Sequence, residues 1–213
     1  MVGPPESGKT TFLYKIVFQK YDWVADATVG FQYEEVRSGD GPNAQMVGVW
    51  DIGGGQSTQL VLQQIYQLVR FQSIVYLINP EKTVQEGVGS PAISQIDFSK
   101  VHLNRLLAEI ELEQVSNVHI FYNINKVEGR FRNIFEGEGG GENRSGTNTD
   151  KSALIRFFNN KLDHQDLETT YSTVKFHYEI VDVNRDDRQT LQKHFGKVIQ
   201  SQYMAAADWL NFY

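Results

Sequence analysis

The chain has 213 residues, 40% of them hydrophobic, which is enough for one ordinary globular domain with a real core. Zero cysteines exclude disulfides and any thiolate metal site, and they suit a reducing compartment, with the cytosol as default. A net charge of -6 argues against a nucleic-acid partner, since phosphate contacts need clustered Lys and Arg; the longest apolar runs, such as residues 74–78, are too short to span a bilayer.

The first element is a loop, Gly3-Pro4-Pro5-Glu6-Ser7-Gly8-Lys9-Thr10, which fits the pattern G-x-x-x-x-G-K-[ST]. In such a loop successive backbone N–H groups make an anion-binding concavity, the lysine reaches the β- and γ-phosphates, and the hydroxyl after it binds Mg²⁺. Residues 10–19 follow as an amphipathic helix with Phe12, Leu13, Ile16 and Val17 near one face, so its N-terminal dipole adds to the same pocket. A buried strand is expected ahead of the loop, yet Met1 and Val2 alone precede Gly3. The expectation is therefore a chain shorter at its N-terminus than the working protein. No leader precedes the loop, residue 2 is Val and the last three residues lack cysteine, which leaves a lipid anchor to residues upstream of Met1.

Next, an extended segment over 31–37 and an apolar β-branched run over 46–52, joined by a turn at 38–43, predict a strand hairpin. The second strand ends in Trp50-Asp51-Ile52-Gly53-Gly54-Gly55-Gln56. A carboxylate at such a strand end holds the water shell of Mg²⁺, and a neighbouring glycine lets a backbone N–H approach the γ-phosphate, roles that Asp51 and Gly54 suit. A glycine-rich turn with a capping Asp is the plainer alternative, and the pairing with the loop decides against it. Helical spacing over 57–70 and the run 73–78 predict a helix and a buried strand. Residues 81–95 show little periodicity; Leu103, Leu106, Leu107 and Ile110 mark a helix that packs on a sheet. Residues 118–124 read as another buried strand, closed by Asn125-Lys126-Val127-Glu128. Residues 129–150, rich in Gly, Asn, Ser and Thr, read as a flexible insertion. Asp150 is expected to cap a helix over 151–162, and a last strand, 174–181, precedes a helix over about 187–206. Strands separated by helices predict an α/β fold, a mostly parallel sheet covered on both faces. The five histidines are scattered and read as surface or packing residues.

This order of motifs resembles the Ras-like small GTPase superfamily, most closely its ADP-ribosylation-factor branch, and the resemblance covers nearly all of residues 1–128. It is carried by Gly8-Lys9-Thr10-Thr11-Phe12-Leu13-Tyr14-Lys15, by Thr28-Val29-Gly30-Phe31 and by Trp50-Asp51-Ile52-Gly53-Gly54. Glu6-Ser7-Gly8-Lys9 also resembles the heterotrimeric G-protein alpha subunit, but the 17 residues between Thr10 and Thr28 leave no room for that family's inserted helical domain. Rag-type GTPases share the Trp-Asp strand end, with a less similar Thr28 region.

The resemblance implies a phosphate-loop G domain over 1–213 that binds GTP or GDP with Mg²⁺. Gly3, Glu6, Ser7, Gly8, Lys9, Thr10 and Thr11 would line the phosphates, and Thr10, Thr28 and Asp51 would hold the metal. Gly54 would meet the γ-phosphate, and Asn125, Lys126 and Glu128 the guanine base. The expected output is a cytoplasmic switch in signalling and vesicle trafficking, peripheral at endomembranes, with effectors, an exchange factor and an activating protein as partners. Gly55 stands where the family has its water-positioning glutamine, with Gln56 one place late, and Glu128 replaces the base-reading Asp. Slow hydrolysis assisted by Lys9 and Gln56, and a weakened guanine preference, are the expectations. A second reading is a nucleotide-binding scaffold without turnover, acting as an interaction module. An adenine-nucleotide enzyme is disfavoured by Asn125-Lys126 at a strand end.

Overall fold

The computed structural model describes residues 1–18, 25–38, 44–55, 58, 64–66, 68–85, 87, 89–110, 115–124 and 148–210. Helix α1 (Lys9–Val17) leaves the loop directly. Strands β1 (Phe31–Ser38) and β2 (Gln45–Ile52) form the expected antiparallel hairpin, with Phe31 opposite Ile52 and Gln32 opposite Asp51. This register places Asp51 at the end of the hairpin nearest Gly30.

Strands β3 (Ser73–Ile78), β6 (Asn117–Asn123) and β7 (Lys175–Val181) form a parallel sheet in the order β3-β6-β7. Their apolar residues point to both faces, as a sheet covered on both sides requires. Tyr76, Ile78, Ile120 and Tyr122 bury one face against α2 (Gln95–Glu109) and α3 (Asn148–Leu162), through Leu103, Leu107, Leu154 and Phe158. Val75, Leu77 and Phe121, on the alternate positions, bury the other against α1 and α5 (Arg188–Leu210), through Phe12, Leu13, Ile16, Leu191 and Phe195. Each such side chain taken fully from water contributes about 1.5–3 kcal/mol, so the two layers hold the strand ends that carry the site.

The expected central strand is represented by Met1 and Val2, which lie between β2 and β3. Val2 N–H donates to Val75 O at 2.9 Å, and Leu77 N–H to Val2 O at 3.0 Å. On the other side Ile52 N–H donates to Met1 O at 3.0 Å, and the Met1 amino nitrogen donates to Trp50 O. Two residues thus make the ladder contacts of a middle strand on both flanks and aim Gly3 into the loop.

Several details differ from the expectations. Residues 83–94, aperiodic in sequence, contain a small antiparallel pair, β4 (Thr83–Val84) and β5 (Ile93–Ser94). Ser94 caps α2, its Oγ accepting from Asp97 N–H at 3.1 Å. Helix α3 starts at Asn148, so Asp150 lies inside it and is not its cap, and a short helix α4 (His164–Thr170) follows. Asp187 Oδ1 accepts from Thr190 N–H at 2.7 Å and caps α5. Half of the helix expected over 57–70, and residues 129–147 of the insertion, lie outside the described residues. Among the described residues no helix is long and apolar enough to cross a membrane.

Candidate functional site

The loop from Gly3 to Gly8 is shaped by backbone that most residues avoid. Gly3 has φ 140°, Gly8 has φ 98°, and Glu6, with a side chain, has φ 57°. A Cβ on Gly8 would also meet Asn123 Nδ2 at 2.5 Å, so both conformation and contact demand glycine there. Side chains outside or at the end of the loop take its carbonyls. Lys9 Nζ donates to Gly3 O at 2.9 Å and to Pro4 O at 2.8 Å, Gln95 Nε2 to Pro5 O at 2.7 Å, and Asn123 Nδ2 to Ser7 O at 2.9 Å. Where the next residue is not proline, as at Pro5 O and Ser7 O, turning the carbonyl outward turns the paired N–H of Glu6 or Gly8 inward, and a cluster of inward N–H groups is an anion nest.

Lys9 is almost fully buried, and its ammonium is pushed down to about 8 by that burial, with Asp51 opposing the shift. Ser7 Oγ, also buried, is a weaker acceptor for Lys9 at 3.4 Å. A phosphate oxygen is a better partner for that third donor.

Beside the nest three segments converge. Thr10 Oγ1 donates to Asp51 Oδ2 at 2.6 Å and lies 2.8 Å from Thr28 Oγ1, itself 3.4 Å from Asp51 Oδ2. Asp51 is wholly buried, and its second oxygen, Oδ1, has no hydrogen-bond partner among the described residues. Two hydroxyls and an orphaned buried carboxylate oxygen are an oxygen donor set that suits a hard divalent cation with water in its shell. Gly54 packs on the loop from the other side, where a Cβ would meet Pro5 N at 2.4 Å and Pro4 C at 2.6 Å. Gly53 N–H donates to Gly30 O at 2.9 Å, tying the end of β2 to the Thr28 segment. Thr11 follows Thr10 in the first turn of α1 and is half-buried. Glu6 is exposed and pairs with Lys82 at 2.7 Å.

The other end of the site departs from the sequence reading. Asn125, Lys126 and Glu128, and also Gln56, lie outside the described residues. Asn123, which the sequence did not single out, closes β6 and bridges two distant segments: besides its bond to Ser7 O, its Oδ1 accepts from Val183 N–H at 3.0 Å. Lys15 Nζ donates to Val183 O at 2.6 Å and to Asn184 O at 2.9 Å, so the β7–α5 connection sits against the loop although it lacks a recognisable base-contact motif. A signal for Asn123 existed in strand alternation. It falls two residues after Phe121, on the face that packs against α1, whereas the family resemblance points to Asn125.

A parallel sheet with helices on both faces, a phosphate-type loop between a central strand and a helix, and a Thr/Thr/Asp cluster beside it define a P-loop G-domain architecture. The ADP-ribosylation factor family model matches residues 1–131. With 131 of 213 residues matched, the chain belongs to the ADP-ribosylation factor family. Among solved structures, the Arl6 (BBS3) small GTPase from Trypanosoma brucei, described with a bound nucleotide analogue, GppNp, is similar at a TM-score of 0.58 and 15% identity. That match covers 96% of this chain and 95% of the other. At this identity the likeness speaks for the fold. Comparison with curated proteins finds no match.

Proposed function

We propose that this protein is a guanine-nucleotide switch that binds GDP and GTP with Mg²⁺. The observation that carries the reading is the meeting of Thr10, Thr28 and Asp51, from three segments up to 41 residues apart, beside a buried Lys9. Family membership and the analogue in the Arl6 structure support it. In this reading Lys9 and the loop N–H groups hold the β- and γ-phosphates, and the two hydroxyls with Asp51 hold the metal and its waters. The metal draws charge from the phosphoryl oxygens. The γ-phosphate orders the Thr28 segment and Gly54, and its loss releases them. Slow hydrolysis follows from Gln56 standing one residue late. That displacement also favours the second reading, a nucleotide-binding scaffold without turnover.

The switch segment continues directly into an aromatic surface suited to protein partners. Phe31 and Tyr33, both about half exposed, meet Trp50 at 5.0 Å in a tilted contact and at 5.4 Å edge-on, and Trp50 meets Phe71 at 6.4 Å. A change at Thr28–Gly30 is therefore transmitted to this surface, where an effector would read it.

The test is binding of a fluorescent GDP against the ADP analogue, with and without Mg²⁺. Preference for GDP, tightened by Mg²⁺, is expected; equal binding of ADP or no binding overturns the reading.

A further inference from the structure

Gln95, the first residue of α2, lies outside every motif of the sequence, yet it is wholly buried and fully engaged. Its Nε2 donates to Pro5 O at 2.7 Å, and its Oε1 accepts from Asn79 N–H at 2.9 Å. Its own N–H donates to Lys82 O at 3.0 Å, and its carbonyl accepts from Ser99 Oγ at 2.6 Å. The side chain thus fixes the middle of the loop to the end of β3 and the start of α2.

The consequence comes from the two prolines. Pro4 and Pro5 carry no N–H, so between Gly3 and Glu6 the loop offers no backbone donor to an anion. The carbonyls that Lys9 holds, Gly3 O and Pro4 O, belong to peptide planes ending in proline, and holding them aims no donor. Pro5 O is different. It shares its plane with Glu6 N–H, and in a trans peptide the two point in opposite directions. A donor pulling Pro5 O outward therefore aims Glu6 N–H inward. Glu6 also has φ 57°, a conformation a residue with a side chain keeps when its surroundings impose it.

We infer that Gln95 is a positioning residue for phosphate: by holding Pro5 O it orients the Glu6 N–H, the donor that opens the nest after two prolines, toward a phosphate oxygen. The inference rests on the reading that the loop takes nucleotide phosphate. Gln95→Met keeps the length and removes both polar contacts. Gln95→Glu restores them when its carboxyl is protonated, since the acid form has one donor and spare acceptor capacity; as carboxylate it faces Pro5 O with no donor.

The experiment measures the dissociation rate of fluorescent GDP and the ³¹P resonances of bound GDP in the native chain and both variants. Losing one buried hydrogen bond corresponds to about a fivefold change, so Gln95→Met should release GDP roughly five times faster and move the β-phosphate resonance. Gln95→Glu should match the native rate at about pH 5.5 and exceed it at about pH 8, because burial raises a carboxyl's pKa into that interval. An unchanged rate and β-phosphate resonance in Gln95→Met, or a lowered melting temperature with the resonance unmoved, overturns the inference and leaves the switch reading standing. If Gln95→Met does not fold, a Gln95→Glu rate that keeps one ratio to native at both pH values overturns it. A native chain that binds no GDP overturns both.

Discussion

The two ends of the site are built by different means. At the phosphate and metal end the residues are near one another in sequence or sit at the open end of one hairpin, and the structure joins Thr10, Thr28 and Asp51 within hydrogen-bond reach, with Lys9 close enough to feel the Asp51 charge. At the opposite end the described contacts come from Asn123, Val183 and Lys15, separated by 60 to 168 residues. The first end is a local pattern anchored by tertiary contacts. The second consists of tertiary contacts alone, so substitutions at the two ends should separate phosphate affinity from support of the loop.

The largest effect is expected at the phosphate end. Lys9→Ala removes the ammonium that holds Gly3 O and Pro4 O and faces the phosphates, and charge-assisted bonds contribute about 1.5–3 kcal/mol each. Nucleotide affinity should fall at least about a hundredfold by titration calorimetry. Affinity within a few-fold of native would mean that the loop does not bind phosphate through this lysine.

Next comes the bridge. Asn123→Asp keeps the acceptor for Val183 N–H and loses the donor to Ser7 O; Asn123→Ala loses both. A buried group left without its partner costs about 1–3 kcal/mol, so Asn123→Ala should lower the melting temperature and weaken GDP binding about tenfold. Asn123→Asp should weaken GDP binding with the smaller stability loss. If it spares GDP binding, the bond to Ser7 does not shape the nest.

The buried ammonium gives a pH test whose two readouts have opposite signs. Without nucleotide, Lys9 titrates at about 8 in the folded chain against 10.5 unfolded, so between these values the unfolded state binds more protons. The cost of burying the charge is then present below about 8 and disappears above it, and stability of the nucleotide-free protein should rise with pH through that window. Bound phosphate raises the lysine's pKa again. GDP affinity should therefore be flat below that value and fall by up to about tenfold per pH unit above it. Loss of the trend in Lys9→Met would assign it to this group; persistence would assign it elsewhere.

The smallest effect is expected in turnover. Deleting Gly55, which is exposed with open space around its Cα, shifts Gln56 by one Cα step of about 3.8 Å toward Asp51. Single-turnover GTP hydrolysis should speed up several-fold with binding intact. An unchanged or slower rate would show that the glycine run already accommodates the extra residue.

Sequence alone determined the elements whose physics is short-range. The loop pattern specifies positive-φ glycines and a lysine at fixed spacing, the hairpin follows from β-branched runs around a turn, and β3, β6 and α2 follow from apolar periodicity. Asp51 was legible because the phosphate-loop pattern earlier in the chain calls for a carboxylate at a strand end, which a glycine run after a strand would not by itself require. Strand alternation marks only the face Asn123 occupies, and nothing marks Gln95, because each acts on a backbone carbonyl 116 or 90 positions away and a backbone carbonyl leaves no mark in composition. The place of Met1 and Val2 was likewise beyond local reading: two residues have no periodicity, and their central position is set by the edges of β2 and β3 that receive them. The tertiary structure decided how the loop is held, since every bond that orients its outer peptides crosses from one element to another.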